Sequence, residues 1–221
     1  MKRVLFYCQH LIGVGHLTRS IALCEALAES FEVDLIQGGP DIGMAPAGER
    51  VTVLALPPLL MRDGDGTLYD PVSGREPARV FAARKRELVR SLRGRRYDHL
   101  VVELYPFGRR KFRHEIDWLV ARMRLENPDL KVHCSLRDIM VEREPEREAE
   151  TVAVLRRDYD SVLVHSDPRF IRLEETFTRF PDIEAMTRYT GFVAGSSRRE
   201  YLEPRPRRVL VRLGGGVVGA E

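Results

Sequence analysis

The sequence predicts an α/β protein built on a doubly wound, mainly parallel sheet. Short apolar runs alternate with amphipathic helical segments along most of the 221 residues, and this is the order that right-handed crossovers connect into a parallel sheet. Val4–Tyr7 is apolar throughout, as expected of a strand covered on both faces. From Leu17 onward, Ile21, Cys24 and Ala28 recur at helical spacing, so strand and helix meet within one short junction.

The later segments follow the same alternation. Predicted strands cover Glu32–Gln37, Val51–Leu56, Asp98–Leu104, Lys131–Leu136, Ser161–His165 and Arg188–Val193, and further predicted helices cover Ala78–Leu92, Glu115–Arg124 and Arg147–Arg157. The loop Pro57–Pro77 is too long for a plain connection, so we expect it to be functional or mobile. Two interpretations of its apolar triplet Leu59–Leu60–Met61 stay open, a place in the core or contact with a membrane.

The predicted helix Ala78–Leu92 is strongly basic. This helix and the residue just after it carry six cations and a single acid, Glu87. The cations are Arg79, Arg84, Lys85, Arg86, Arg90 and Arg93. We interpret them as a solvated basic face, with attraction to anionic lipid heads or phosphates as the second interpretation. No recognised DNA- or RNA-binding signature accompanies the charge, so we predict no nucleic-acid partner.

Composition narrows the class of protein. The chain is 43% apolar and 31% charged with a net charge of +3, which is typical of a globular protein. No apolar run approaches the roughly 18 residues of a membrane span, and the N-terminus does not resemble a signal peptide. We therefore predict a cytoplasmic protein, peripheral to the membrane at most. Cys8, Cys24 and Cys134 are well separated and fit buried, reduced thiols.

The junction after the first strand suggests an anion-binding turn. Gly13 and Gly15 permit tight backbone angles and close approach of a ligand, and the free N–H groups of the following helix favour negative charge. His16 is expected to face that opening. The turn lacks the third glycine of the dinucleotide fingerprint and the Gly-Lys-Ser/Thr of a P-loop. We predict no cofactor and, since the histidines lack ligand spacing, no metal site.

Polar residues follow several of the predicted strands. Open α/β sheets bind ligands beyond the carboxyl ends of their strands, so we expect these residues to gather at one edge: His16, Gly38, Glu103, Tyr105, Arg137, His165 and Asp167. Arg137 and Asp138 are interpreted either as an ion pair that braces this edge or as ligand contacts. Asp167, followed by Pro168, is interpreted either as a ligand contact or as the start of a helix.

Five motifs together resemble the predicted glycosyltransferases related to the lipid-II N-acetylglucosaminyltransferase group. They are Gly13–Ser20, Tyr105–Arg109, Ser135–Ile139, His165–Pro168 and Tyr189–Phe192, and they occur in the family's order. The resemblance covers essentially the whole chain. It implies a GT-B fold, in which two Rossmann-like halves face each other, the N-terminal half mainly holding the acceptor and the C-terminal half the nucleotide sugar.

The domain organisation follows from this resemblance. We expect residues 1–193 to form the N-terminal, acceptor-side domain and residues 194–208, rich in Gly, Ser, Pro and charge, to form a linker. Residues 209–221 are expected to be the first strand and glycine turn of a second, truncated domain. In that turn, Gly214, Gly215 and Gly216 are predicted to bind donor phosphate. We therefore expect the chain alone to be inactive.

Glycosyl transfer needs a base for the acceptor hydroxyl and dipoles that stabilise the departing diphosphate. His16 is the candidate base, and Glu103 is a second base, an orienter of His16, or an acid satisfied by backbone groups. Substrate-binding roles are predicted for Gly13, Gly15, Thr18, Arg19, Tyr105, Arg137, Asp138, His165 and Asp167.

The resulting hypothesis is the N-terminal half of an enzyme that moves a sugar from a nucleotide donor, UDP in the first instance, to a hydroxyl acceptor that is lipid-linked in the family it resembles. One alternative is a non-catalytic, acceptor-binding subunit that needs a separate donor-binding chain. Another is a UDP-sugar hydrolase, in which His16 activates water. A homodimer and a partner chain are both compatible with the sequence.

Overall fold

The computed structural model describes residues 1–11, 14–62, 64–137 and 144–194. In this part of the chain the strands are β1 Arg3–Cys8, β2 Glu32–Gln37, β3 Val51–Ala55, β4 Leu60–Met61, β5 Leu68–Tyr69, β6 His99–Glu103, β7 Lys131–Leu136, β8 Ser161–Val164 and β9 Thr187–Tyr189. The α-helices are α1 Gly15–Leu27, α2 Pro77–Ser91, α3 Arg113–Glu126 and α4 Pro145–Asp158. Short 3₁₀ turns precede α3 and separate β8 from β9.

Seven of these strands form one parallel sheet in the order β3-β2-β1-β6-β7-β8-β9. The predicted fold class is thereby confirmed. The predicted bounds are exact for β2 and β7, whereas the last predicted strand, Arg188–Val193, is shorter and begins one residue earlier, at Thr187. The chain moves outward from β1 through β2 to β3, then crosses to β6 on the other side of β1 and continues to β9.

The two directions of travel place the helices on opposite faces of the sheet, because parallel crossovers are right-handed. Leu17 and Ile21 of α1 pack on one face with Val4 and Phe6 of β1. The helices α2, α3 and α4 pack on the other face around Leu5 and further buried residues, including Leu88, Leu119 and Leu155. Successive residues of β1 therefore belong alternately to two separate cores.

The long loop after β3 is partly ordered by an antiparallel pair of short strands. Leu60 pairs with Tyr69 and Met61 with Leu68. Leu59 is fully buried in the core, and Met61 packs against it. Leu59 therefore has the predicted place in the core, whereas Leu60 and Met61 are half-buried in a strand, and contact of these two with a membrane stays a prediction.

The two glycines after β2 are required by close packing rather than by an unusual backbone angle. A Cβ on Gly38 would lie 2.0 Å from Oε1 of Gln9, and a Cβ on Gly39 would lie 2.4 Å from Nε2 of His10. Gln9 and His10 directly follow β1, and both are buried. Gly38 and Gly39 thus let the side chains after β1 pack across the end of β2.

Arg84 is not part of the solvated face of α2, which corrects the interpretation of all six cations as exposed. Its side chain is fully buried and forms a two-pronged ion pair with Glu115 of α3, with N–O distances of 2.7 and 2.8 Å. It also donates to Oε1 of Gln9 at 2.8 Å and to the carbonyls of Gly38 and Pro57 at 2.8 and 3.0 Å. One guanidinium therefore joins both helices to three chain segments at the end of the sheet.

Further predictions concern cysteines, metals and membranes. Cys8, Cys24 and Cys134 are buried free thiols, as predicted, and burial raises the pKa of the Cys8 thiol to about 12. In the described ranges, no cluster of three or more His, Cys, Asp or Glu side chains is arranged to hold a metal ion. None of the helices in those ranges has the length and hydropathy of a membrane crossing.

Several predictions fall on residues outside the described ranges. Gly13 and Asp138 are among them, as are Gly214, Gly215 and Gly216. The same holds for the proposed linker from residue 195 onward and for the whole of 209–221. These sites stay predictions.

Breaking the buried ion pair should strongly destabilise the protein. Arg84→Met leaves the Glu115 carboxylate buried without its partner, and we expect a loss of about 3–5 kcal/mol in the free energy of unfolding. Arg86→Met on the exposed side of the same helix is the matched control and should change it by less than about 0.5 kcal/mol. Urea unfolding followed by circular dichroism measures both. Equal effects of the two variants would show that the pair does not stabilise the fold.

Candidate functional site

The site lies where the direction of the sheet reverses. The chain leaves β1 toward β2 on one side, whereas β6 is paired to β1 on the other side. In open parallel sheets such a reversal opens a crevice at the carboxyl ends of the two strands, and ligands bind there. His16 is the second residue of α1, which follows β1, and Glu103 is the last residue of β6. The topology thus brings together two residues that are 87 positions apart.

His16 and Glu103 form a direct pair in this crevice. Nδ1 of His16 lies 2.5 Å from Oε1 of Glu103. The Glu103 side chain is fully buried, while that of His16 is 22% exposed. The carboxylate accepts a hydrogen bond from Nδ1–H, so Nε2 is the nitrogen that can accept a proton. Side chains rather than backbone groups therefore hydrogen-bond to Oε1 of Glu103. This does not agree with the interpretation of Glu103 as an acid satisfied by backbone groups.

Two arginines complete the surroundings of this carboxylate. Nη2 of Arg19 donates to Oε1 of Glu103 at 3.0 Å, and Nε of Arg109 lies 4.0 Å from Oε2. Burial by itself would raise the pKa of Glu103, but the hydrogen bond from His16 and the charges of His16, Arg109 and Arg19 outweigh it and lower the pKa. Glu103 is thus an ionised carboxylate at neutral pH, held by the imidazole of His16 and by two arginines.

The carboxylate is not fully satisfied. Among the described residues, Oε2 of Glu103 and Nε of Arg19 are buried side-chain atoms without a hydrogen-bond partner. Buried polar atoms are nearly always paired in native proteins, so an unpaired oxygen here is a feature that needs an explanation.

The turn after β6 positions Arg109. Leu104 and Arg109 both have left-handed backbone angles, with φ of 67° and 56°, which cost about 1–3 kcal/mol each for residues with a side chain. Gly108 packs so closely on Leu104 that an added Cβ would lie 2.8 Å from its side chain. The chain is thereby folded back, and Nε of Arg109 donates to the carbonyl of Gln9 at 2.6 Å. Such strain is typical of functional sites.

His165, at the end of β8, is held between two hydroxyl groups. Nε2 lies 2.8 Å from Oγ of Ser135, and Nδ1 lies 2.8 Å from Oγ1 of Thr190. Burial lowers the pKa of His165 to about 4; the charge of Arg19 lowers it further and that of Glu103 raises it. His165 is therefore a neutral imidazole with both nitrogens engaged, within electrostatic reach of the Glu103 cluster. Its predicted contact with substrate stays a prediction.

The other predicted residues near α1 and β6 have structural partners. Gly15 begins α1, and Oγ1 of Thr18 donates to the carbonyl of Val14 at 3.0 Å. The hydroxyl of Tyr105 donates to Asp117 at 2.8 Å. Burial and this acidic partner raise the pKa of Tyr105. The Tyr105 ring is thus anchored to α3, behind the crevice.

Two predicted residues lie further along the sheet. Arg137 directly follows β7 and is exposed. Asp167 forms an ion pair with Arg169 at 2.7 Å and accepts the backbone N–H of Arg169 at 2.9 Å, and these hydrogen bonds lower the pKa of Asp167 to about 2. The segment after Asp167 is a turn, so the interpretation as a helix start is wrong.

Sequence reasoning did not assign roles to Gln9 and Arg109. The carbonyl of Gln9 accepts a hydrogen bond from Arg109, and its side-chain oxygen accepts one from Arg84. The sequence carries a signal for both residues. Gln9 directly follows β1, and Arg109 closes the motif that follows β6.

Comparison with solved structures supports the fold. The apo form of UGT2 from Phytolacca americana superposes with a TM-score of 0.50 at 11% identity, over 89% of this chain and 53% of that one. Sucrose-phosphate synthase from Thermosynechococcus elongatus gives 0.49 at 13% identity over 86% and 47%, and MurG from Acinetobacter baumannii gives 0.42 at 13% identity over 76% and 42%. The chain spans about half the length of these structures. No family model and no curated protein sequence matches it.

At these identities the likeness concerns the fold. The seven-stranded parallel sheet flanked by helices matches the Rossmann-like N-terminal domain of a GT-B glycosyltransferase. A specificity like that of MurG stays a prediction. The chain therefore has the fold of the N-terminal half of a GT-B protein.

The buried state of His165 predicts a pH dependence of stability. Its pKa is about 4 in the folded chain and about 6.5 when unfolded, so the unfolded state binds more protons below pH 6.5. The stabilisation is complete above pH 6.5 and is lost as the pH falls toward 4. Between pH 7 and pH 4.5 the free energy of unfolding should fall by about 2–3 kcal/mol more in the wild type than in His165→Gln. Urea titrations at both pH values measure this, and parallel losses would contradict it.

Proposed function

We propose that this chain is the acceptor-side half of a glycosyltransferase that moves a sugar from a UDP-sugar to a hydroxyl acceptor. The observation that carries the proposal is the pairing of His16 with the buried, ionised Glu103 in the crevice between β1 and β6. A histidine whose one nitrogen is held by a carboxylate is a general base on the other nitrogen.

In the proposed reaction, Nε2 of His16 accepts the proton of the acceptor hydroxyl as its oxygen attacks the anomeric carbon of the sugar. The bond from that carbon to the diphosphate breaks, and the nucleoside diphosphate leaves with the electron pair. Glu103 keeps Nδ1 protonated, orients the ring and stabilises the imidazolium that forms. Arg19 and Arg109 act through Glu103, because their charges keep its pKa low. They are positioning residues in this scheme.

The donor class is proposed from the structural neighbours. A further structure of UGT2 holds UDP-2fluoro-glucose and pterostilbene, and another neighbour, LpCGTa, is in complex with UDP. From these two structures we extend to this chain only the class of donor, a UDP-sugar. We propose that the acceptor is a hydroxyl compound, because the proposed base, Nε2 of His16, removes a proton from the attacking group. Its lipid linkage stays a prediction.

The second half of the site is proposed to lie in residues that follow the described ones. We propose residues 1–193 as the acceptor-side domain, 194–208 as the linker and 209–221 as the start of the donor-binding domain. There, Gly214, Gly215 and Gly216 would bind the donor phosphates. Contact of the exposed α2 cations with anionic lipid, and a homodimer or partner chain, stay predictions.

Replacing His16 tests the proposal in the protein as the source cell expresses it. With UDP-sugars and hydroxyl acceptors, His16→Gln keeps a side chain that can hydrogen-bond to Glu103 but removes the base, and we expect turnover to fall about 10²-fold or more. Glu103→Gln should lower turnover and shift the pH–rate profile, because the positioning charge is lost. Arg86→Ala, on the exposed side of α2, is the control and should leave turnover unchanged.

The products distinguish the alternatives. Sugar released without acceptor identifies a hydrolase. Acceptor binding without any turnover, together with co-purification of a second glycine-rich chain, identifies a non-catalytic subunit. Full turnover by His16→Gln would exclude His16 as the base.

A further inference from the structure

A cavity lies between α2 and α3, and neither His16 nor Glu103 lines it. Its volume is about 380 Å³, within the range of about 300–1,000 Å³ usual for small-molecule pockets. We call it the α2–α3 groove; it is lined by Ala78, Phe81, Ala82, Lys85, Lys111, His114, Glu115 and Trp118. The glycosyl-transfer scheme uses none of these residues.

The walls of the groove are apolar. Phe81 and Trp118 are half-buried aromatic side chains, and two small residues, Ala78 and Ala82, leave space between them on α2. Phe81 packs edge-on against the buried ring of Phe112, with 5.4 Å between the ring centroids. Phe81 is thus supported from behind, and aromatic walls of this kind are suited to an apolar chain or ring.

The rim of the groove is cationic. Nζ of Lys85 lies 5.0 Å from the centroid of the Trp118 ring. Lys111 donates to the carbonyl of Gly66 from the neighbouring loop, and His114 is exposed at the start of α3. Two ammonium groups and an imidazole thus surround one apolar space, which favours a ligand with negative charge at one end.

The acidic residue in the lining does not cancel this charge. Both oxygens of Glu115 accept hydrogen bonds from Arg84, and Oε1 also accepts one from the hydroxyl of Tyr7 at 2.6 Å. Its side chain is 3% exposed. Glu115 is therefore neutralised by an arginine on its inner side, and the charge presented to the groove is positive.

We propose that the α2–α3 groove binds one molecule of an amphipathic anion. Its apolar body lies between Phe81 and Trp118, and its phosphate or carboxylate head lies near Lys85, Lys111 and His114. The inference is independent of the glycosyltransferase proposal, since the groove shares no residue with the His16 crevice.

Trp118 is the only tryptophan of the chain, so its fluorescence reports directly on the groove. The probe is octyl phosphate at concentrations at which it is monomeric. We expect a saturable, one-site change in Trp118 emission with octyl phosphate. Octyltrimethylammonium, with the same tail and the opposite charge, should bind at least about tenfold more weakly, since attraction to the rim becomes repulsion.

Matched variants locate the binding. Ala82→Glu places a negative charge in the groove at an exposed helix position and should weaken octyl phosphate binding about tenfold. Ala82→Gln, of nearly the same size, should weaken it much less. Lys111→Gln should weaken it, whereas Lys131→Gln, which removes one exposed charge at the start of β7, should not. Circular dichroism of each variant verifies that it is folded.

Three results would overturn the proposal. Equal binding of both octyl compounds would show an apolar surface without charge selection. Equal binding of inorganic phosphate would show a simple phosphate site. A change in Trp118 emission with phosphatidylglycerol vesicles but not with monomeric octyl phosphate would show a membrane-contact face instead of a pocket for a single molecule.

Discussion

The buried ion pair of Arg84 and Glu115 is the interaction on which the arrangement around the sheet depends. Removing two charges from water is costly, so such a pair is retained only with nearly all of its hydrogen bonds made. Here the donors of Arg84 are distributed over Glu115, Gln9 and the carbonyls of Gly38 and Pro57. The pair therefore does more than link α2 to α3. It fixes the segments after β1, β2 and β3, including the segment that leads toward α1.

The right-handed crossovers between the parallel strands then determine where the candidate site can lie. Because the chain turns one way from β1 to β2 and the other way from β3 to β6, α1 packs on the face opposite to the other helices. The segments after β1 and β6 consequently lead to helices on opposite faces of the sheet, and ligands bind in the crevice at such a reversal. His16 and Glu103 meet at this crevice without any local sequence relation. A sheet that wound in a single direction would cover that edge with adjacent loops.

The sequence sufficed for the strands, the helices and the class of sheet, because periodicity and turn residues are local signals. It also placed His16 and Glu103 at strand ends. It did not show that Arg84 is buried, although Arg84 lies between Val80 and Leu88, in the middle of the buried stripe of α2. The place of Arg109 at the end of the motif after β6 is a local signal, but its contact with Gln9 depends on the left-handed backbone at its own position and at Leu104.

Two of the buried glutamates, Glu103 and Glu115, differ in how far their oxygens are hydrogen-bonded. Glu115 has hydrogen bonds on both oxygens, all from side chains that are themselves buried. Glu103 is equally buried, but one of its oxygens is unpaired, and the other binds a histidine that reaches solvent. Full satisfaction rigidifies a core, whereas partial satisfaction leaves interaction energy for a further partner. It is this difference, together with the pairing to His16, that makes the Glu103 crevice the candidate site.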